Sequence, residues 1–141
     1  MSTILSILLL SVCYSQSCDE GYVELWGECY SIETTIILQN LDNTSGEIPD
    51  DICSLINLEV LNLNVMFGNT NYVTGQIPNC IGNLENLTYL NLGWNSLYGK
   101  IPASVGDLVN LTYLNLLSNQ LTGIIPSSLG NLINLTYLNL G

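Results

Sequence analysis

From Leu55 onward the chain repeats a single unit. Leu84–Asp107 reads LENLTYLNLGWNSLYGKIPASVGD and Leu108–Asn131 reads LVNLTYLNLLSNQLTGIIPSSLGN, each 24 residues long. Leu132–Gly141 (LINLTYLNLG) starts another copy, and Leu55–Asn83 is the same unit with five extra residues between Leu63 and Asn71. Further back, Gly46-Glu47-Ile48-Pro49 is the tail of a degenerate unit whose strand is expected at Thr35–Leu38. The prolines hold the register: Pro49, Pro78, Pro102 and Pro126 follow at intervals of 29, 24 and 24 residues, and Gly46, Gly75, Gly99 and Gly123 keep the same intervals. A fixed period of this length means stacked units, each too small to bury its apolar face alone.

Inside one unit, Leu90 and Leu92 alternate with Asn91, which predicts a short strand within Thr88–Trp94 with one face turned in. Leu84, Leu87, Leu97, Ile101 and Val105 continue neither a helical nor a strand period. They make sense if the chain turns through one coil and points each of them at its axis. Asn95 and Asn119, with Asn71 in the long unit, follow the strands and are expected inside, where carbonyl and amide together can satisfy turn backbone. Gly99 and Gly123 allow backbone closed to other residues. Pro102 and Pro126 open stretches too short for more than a 3-10 turn. Stacked strands about 4.8 Å apart would form a parallel sheet along one side.

The pattern LxxLxxLxLxxNxLxGxIPxxLGxL, carried by residues 34–141, resembles the plant-type leucine-rich repeat of receptor-kinase ectodomains and polygalacturonase-inhibiting proteins. The resemblance implies an α/β fold: a right-handed solenoid with a short-stranded parallel sheet on its concave side and 3-10 or irregular backbone on its convex side. It also implies a binding module, and no inhibitor residues carry over.

The two ends read differently. Ile4–Val12 is an apolar run of nine residues followed by Ser15 and Ser17. It is too short to cross a bilayer of about 30 Å. Residues 1–17 are therefore read as a secretory signal, although no Lys or Arg precedes the run and a buried N-terminal element is the alternative. Export means an oxidising compartment and a secreted or cell-surface location. Cys18, Cys29, Cys53 and Cys80 then suit disulfides. Residues 18–33 are expected to cap the first coil, with a hairpin closed by Cys18–Cys29 in which Tyr22, Leu25 and Trp26 oppose Glu24 and Glu28. Cys53 and Cys80 either pair with each other or remain buried thiols. At the other end, Leu132, Leu135, Leu138 and Leu140 face a core that Gly141 leaves open. Further repeats or a docked partner are expected there.

Strand alternation places the candidate contact residues. With Leu90 and Leu92 inside, Tyr89, Asn91 and Trp94 face out on the concave side, followed by Tyr113 and Asn115, then Tyr137 and Asn139. Tyr and Trp bring contact area at low entropic cost, and aromatics beside amides also suit sugar faces. The alternative is that the tyrosine row is cross-strand packing. The inserted Asn64–Thr70 breaks the repeat symmetry, and its Met66 and Phe67 are a second candidate contact. Sequons occur at Asn43, Asn86, Asn110 and Asn134, the last three in one column.

Composition removes whole classes of function. Lys100 is the single basic residue, His is absent, and the net charge is -11. One lysine cannot neutralise a nucleic-acid backbone, and without His there is no Ser-His or Cys-His pair and no His metal ligand. The carboxylate pairs Asp50-Asp51 and Asp19-Glu20 have no partner residue, ten of the twelve acids lie between Asp19 and Glu59, and no spacing matches a calcium loop. No cofactor, metal, catalysis or membrane insertion is expected. The leading expectation is an extracellular, non-enzymatic module binding protein or peptide, with a glycan as a further candidate ligand. A structural or adhesive surface protein using the repeats as a spacer is the alternative. Binding to an ice or crystal surface through Thr88, Thr112 and Thr136 is the third.

Overall fold

The structure, a computed structural model, describes residues 18–39, 45–64 and 72–141. The expected signal at 1–17 and the positions Asn43, Met66, Phe67 and Asn71 lie outside the described residues. The chain opens with a hairpin, β1 (Tyr22–Leu25) against β2 (Glu28–Ser31), antiparallel, with Cys18 bonded to Cys29. Its inward side chains are Val23 and Leu25. Tyr22, expected on the side of Leu25 and Trp26, is 48% exposed, because strand alternation puts it on the opposite face from Val23 and Leu25.

Four coils follow. The first holds β3 (Ile37–Gln39), β4 (Gly46–Glu47) and a 3-10 turn at Asp50–Ser54. The second holds β5 (Val60–Asn62), β6 (Val73–Gly75) and a 3-10 turn at Asn79–Asn83. The third holds β7 (Tyr89–Asn91), β8 (Ser96–Gly99) and the turn Ala103–Asp107. The fourth holds β9 (Tyr113–Asn115), β10 (Gln120–Leu121) and the turn Ser127–Asn131, and β11 (Tyr137–Asn139) begins a fifth. The main sheet is parallel and in register, ordered β11-β9-β7-β5-β3. A second sheet, β10-β8-β6-β4, runs along another side of the coils. It arises because Leu97 points in while Ser96 and Tyr98 point out, a period-2 pattern too short to announce a strand alone.

The core is an aliphatic spine. Leu55, Leu58, Leu61, Leu84, Leu87, Leu97, Leu108, Leu111 and Leu114 are each 0% exposed, and Leu90 is 1% exposed. Each such side chain contributes about 1.5–3 kcal/mol of burial. Prolines 49, 78, 102 and 126 precede the four turns, where their fixed φ and missing N–H cost nothing. After β7 and β9 the chain turns at Trp94 (φ 56) and Ser118 (φ 55), so the strands end at Asn91 and Asn115, short of the full expected span.

Asparagines close these turns. Asn95 Oδ1 accepts the Val73 N–H (2.9 Å), and its Nδ2 donates to the carbonyls of Leu63 (2.9 Å), Leu92 (3.0 Å) and Gly93 (3.2 Å). Asn119 repeats the arrangement, accepting from Leu97 (3.0 Å) and donating to Leu92 (2.9 Å) and Leu116 (3.0 Å).

The coils approach most closely on the turn side. A Cβ on Gly82 would lie 2.6 Å from the Ser104 carbonyl oxygen, and one on Gly106 would strike Ser128. One coil pair earlier the equivalent residues are Cys53 and Cys80, bonded to each other with a Cα–Cα distance of 5.9 Å.

Candidate functional site

The open face of the main sheet carries two columns. Register places Ile37, Val60, Tyr89, Tyr113 and Tyr137 in one, and Gln39, Asn62, Asn91, Asn115 and Asn139 in the other. The strand expected at Thr35–Leu38 lies at Ile37–Gln39, and Ile37 and Gln39 were not among the expected contact residues because the degenerate first unit lacks the LxL spacing that marks the strand elsewhere.

The three tyrosines stack. Successive ring centroids are 4.3 Å apart, with planes 11° and 4° from parallel. In-register parallel strands hold identical side chains at the strand spacing, and flat rings fill that gap. Loss of water around Tyr113 between its two neighbours, reinforced by the Tyr89 and Tyr137 hydroxyls, pushes its pKa up to about 12. Because the rings cover one another, Tyr89 and Tyr113 offer edges and hydroxyls, not free faces.

The asparagines fare differently. Asn91 and Asn115, expected to be presented outward, are buried at 7% and 6% exposure. At Asn91 and Asn139 the amide reaches the tyrosine two residues earlier: Asn91 Nδ2 lies 3.5 Å from the Tyr89 hydroxyl, and Asn139 Nδ2 lies 3.4 Å from that of Tyr137. Asn115 Nδ2 donates to Asn91 Oδ1 (2.9 Å), and the Oδ1 atoms of Asn91 and Asn115 accept the N–H groups of Gly93 (3.2 Å) and Leu117 (3.1 Å). Their polar groups serve the scaffold. What remains presented is the tyrosine edge row, Trp94 (46% exposed) and, on the last strand, Tyr137 (41%) and Asn139.

The flank columns are also engaged. Thr88, Thr112 and Thr136 donate their hydroxyls to the carbonyls of Glu59 (3.1 Å), Thr88 (3.0 Å) and Thr112 (2.9 Å). Those hydroxyl protons are therefore not free to order a water lattice. Asn86, Asn110 and Asn134 donate to the carbonyls of Ile56 (2.8 Å), Glu85 (2.8 Å) and Val109 (2.9 Å), while remaining exposed. Among the described residues no group of acidic or cysteine side chains could hold a metal ion, and no helix is long and apolar enough to cross a membrane.

The repeat register, the aliphatic spine and the asparagine-closed turns meet in one comparison: the family described as Leucine Rich Repeat matches residues 86–108 and 110–132. The chain is a leucine-rich repeat protein. Solved leucine-rich repeat structures extend the likeness. The plant peptide hormone receptor RGFR1 in complex with RGF2 superposes with a TM-score of 0.67 at 34% identity, over 74% of this chain and 16% of that one. The ectodomain of the Arabidopsis receptor kinase HAESA, in complex with an IDA peptide hormone, gives 0.62 at 38% identity, over 68% and 16%. A leucine-rich repeat protein of Leptospira interrogans gives 0.61 at 38% identity, over 77% and 26%. The matched region is thus about a sixth of the length of the first two. A search of curated proteins finds no match.

Proposed function

We propose that this leucine-rich repeat protein is an extracellular, non-enzymatic recognition module that takes a protein or peptide ligand on its open, concave sheet face. The single observation that carries the reading is the in-register tyrosine row. It places a rigid aromatic edge with three hydroxyls along the open face, and Trp94 stands at the far end of the same strand layer. Rigid aromatics lose little entropy on contact and dominate many interfaces. The likeness to receptor ectodomains solved with RGF2 and IDA peptides supports a peptide as the ligand class. Asp50 and Asp51, like Asp19 and Glu20, are exposed neighbours along the chain.

Panning a displayed random-peptide library on the whole chain tests this reading. Selected peptides should lose binding to a variant with Tyr89, Tyr113 and Trp94 all changed to alanine. That variant stays folded because these side chains stand outside the leucine spine. Undiminished binding would remove the assignment to this face. Selection of no peptide at all would favour the spacer reading, which the identical LTYLNL of three successive coils also supports.

A further inference from the structure

The coils are most alike on the tyrosine face and most unlike on the second sheet. LTYLNL recurs unchanged three times, whereas the position after each conserved-in-register glycine reads Glu47, Gln76, Lys100 and Ile124. A ligand that distinguishes one coil from the next needs positions that differ, and this column supplies an acid, an amide, a base and an aliphatic in order.

The column borders a groove. A cleft of about 740 Å³ is lined by Gln76, Asn79, Lys100 and Ile124 among others, and one of about 250 Å³ continues it through Glu47 and Asp50, sharing Gln76 and Asn79. One wall is the second sheet and the other is the row of residues that start the 3-10 turns.

The wall side chains are already laid down. The glycines of the next coil have positive φ, 80° at Gly75 and 84° at Gly99, and no side chain of their own. Glu47 Cγ lies 2.8 Å from where a Cβ of Gly75 would be, Gln76 Cγ 3.2 Å from that of Gly99, and Lys100 Cγ 3.2 Å from that of Gly123. Each stem therefore runs along the groove with its head group exposed, and part of its ordering cost is met before any ligand arrives. Lys100 is the only cation of a chain with net charge -11, and no charged residue follows Asp107. The groove is thus acidic at the cap end, cationic at Lys100 and apolar at Ile124.

From this charge order we infer that the flank groove is a second binding site, for an extended peptide segment lying along the coil axis. Its chemistry is the complement: a basic residue over Glu47 and Asp50, an acidic residue over Lys100, and an aliphatic residue at Ile124. Coils about 4.8 Å apart and about 3.3 Å per extended residue set the spacing: the acid lies about three positions from the base, and the aliphatic one or two further. This site is separate from the tyrosine face.

The test titrates the isotopically labelled whole chain with terminally blocked peptides in magnetic resonance experiments. The probes are Arg-Ala-Ala-Glu-Ala-Leu and its retro sequence Leu-Ala-Glu-Ala-Ala-Arg, with Glu-Ala-Ala-Arg-Ala-Leu as the charge-swapped control. One matched probe should shift the amide signals of Gly99 and Gly123 and bind about tenfold more tightly than the control, a difference of about 1.4 kcal/mol. That preference should weaken with added salt. Glu47→Lys combined with Lys100→Glu, both at exposed positions, should reverse it, while Tyr113→Phe should leave it unchanged. Equal affinity for probe and control, shifts confined to the tyrosine face, or no shift at all would overturn the inference. Each of these outcomes leaves the concave-face reading to its own test.

Discussion

Cys53 and Cys80 are bonded to each other at the inter-coil contact that Gly82 with Ser104, and Gly106 with Ser128, make without a covalent bond. The correspondence extends to the surroundings. Cys80 Sγ lies 3.6 Å from the Asp50 carbonyl oxygen, as Ser128 Oγ donates to that of Ala103 at 2.6 Å. The disulfide replaces a small-residue contact of the repeat and ties the first coil to the second.

Changing Cys53→Gly together with Cys80→Ser should therefore keep the coil geometry and lose mainly the cross-link. The bonded residues are 27 apart in sequence. A loop of that size restrains the unfolded chain by about 3–4 kcal/mol. Denaturant unfolding under oxidising conditions should show a loss of that order. The same double variant compared with the wild type under reducing conditions should show a far smaller difference.

The tight Gly–Ser contact predicts opposite outcomes at two glycines of one column. Gly106→Ala pushes a methyl group into Ser128, where backbone blocks it, and should destabilise by about 1–3 kcal/mol. Gly130→Ala meets nothing within 4 Å and should be close to neutral. Thermal melts of the two variants side by side check this. Equal melting temperatures would remove the close-approach argument.

Asn95 and Asn139 separate scaffold amides from presented ones. Asn95→Ala strands the Val73 N–H and removes the amide donor of the Leu63 carbonyl at a buried turn, while the Leu92 and Gly93 carbonyls keep the amides of Asn119 and Asn64, for an expected loss of about 1–3 kcal/mol. Asn139→Ala removes an amide on the last strand that reaches the Tyr137 hydroxyl and the Gly141 N–H, and should cost under about 1 kcal/mol. Chemical unfolding of both variants measures the contrast.

The stacked tyrosines predict an alkaline signature. Tyr113 has its pKa raised from 10.0 to about 12, so the folded chain holds that proton more tightly than the unfolded chain. The linked stability is fully present below pH 10 and is lost as pH rises toward about 12. Near-ultraviolet titration should show an ionisation step near pH 12, and Tyr113→Phe should remove that step while leaving the fold intact.

The leucine spine, the turn asparagines Asn95 and Asn119 and the turn prolines were legible in the sequence because a register repeated at fixed intervals reports side-chain direction directly. The two-column face was legible only in part. Alternation places Asn91 and Asn115 on the same side as Tyr89 and Tyr113, and it did so correctly. It carries no information on height above the sheet, so it could not show an amide reaching the tyrosine two residues earlier. The second sheet was hidden for a different reason: its strands are two to four residues long, below the length at which alternation stands out from chance. The groove beside it follows from that sheet and was equally invisible.

The recurring side-chain fasteners point one way along the chain. Asn86, Thr88, Asn95, Asn110, Thr112 and Thr136 all reach from a later coil to main-chain groups of an earlier one. Each new turn therefore brings its own attachments and needs only the backbone already in place. A polypeptide emerging from the ribosome meets its template in the order in which it is made, so winding can keep pace with synthesis, passing from the disulfide-closed hairpin to the first coil and advancing one layer at a time.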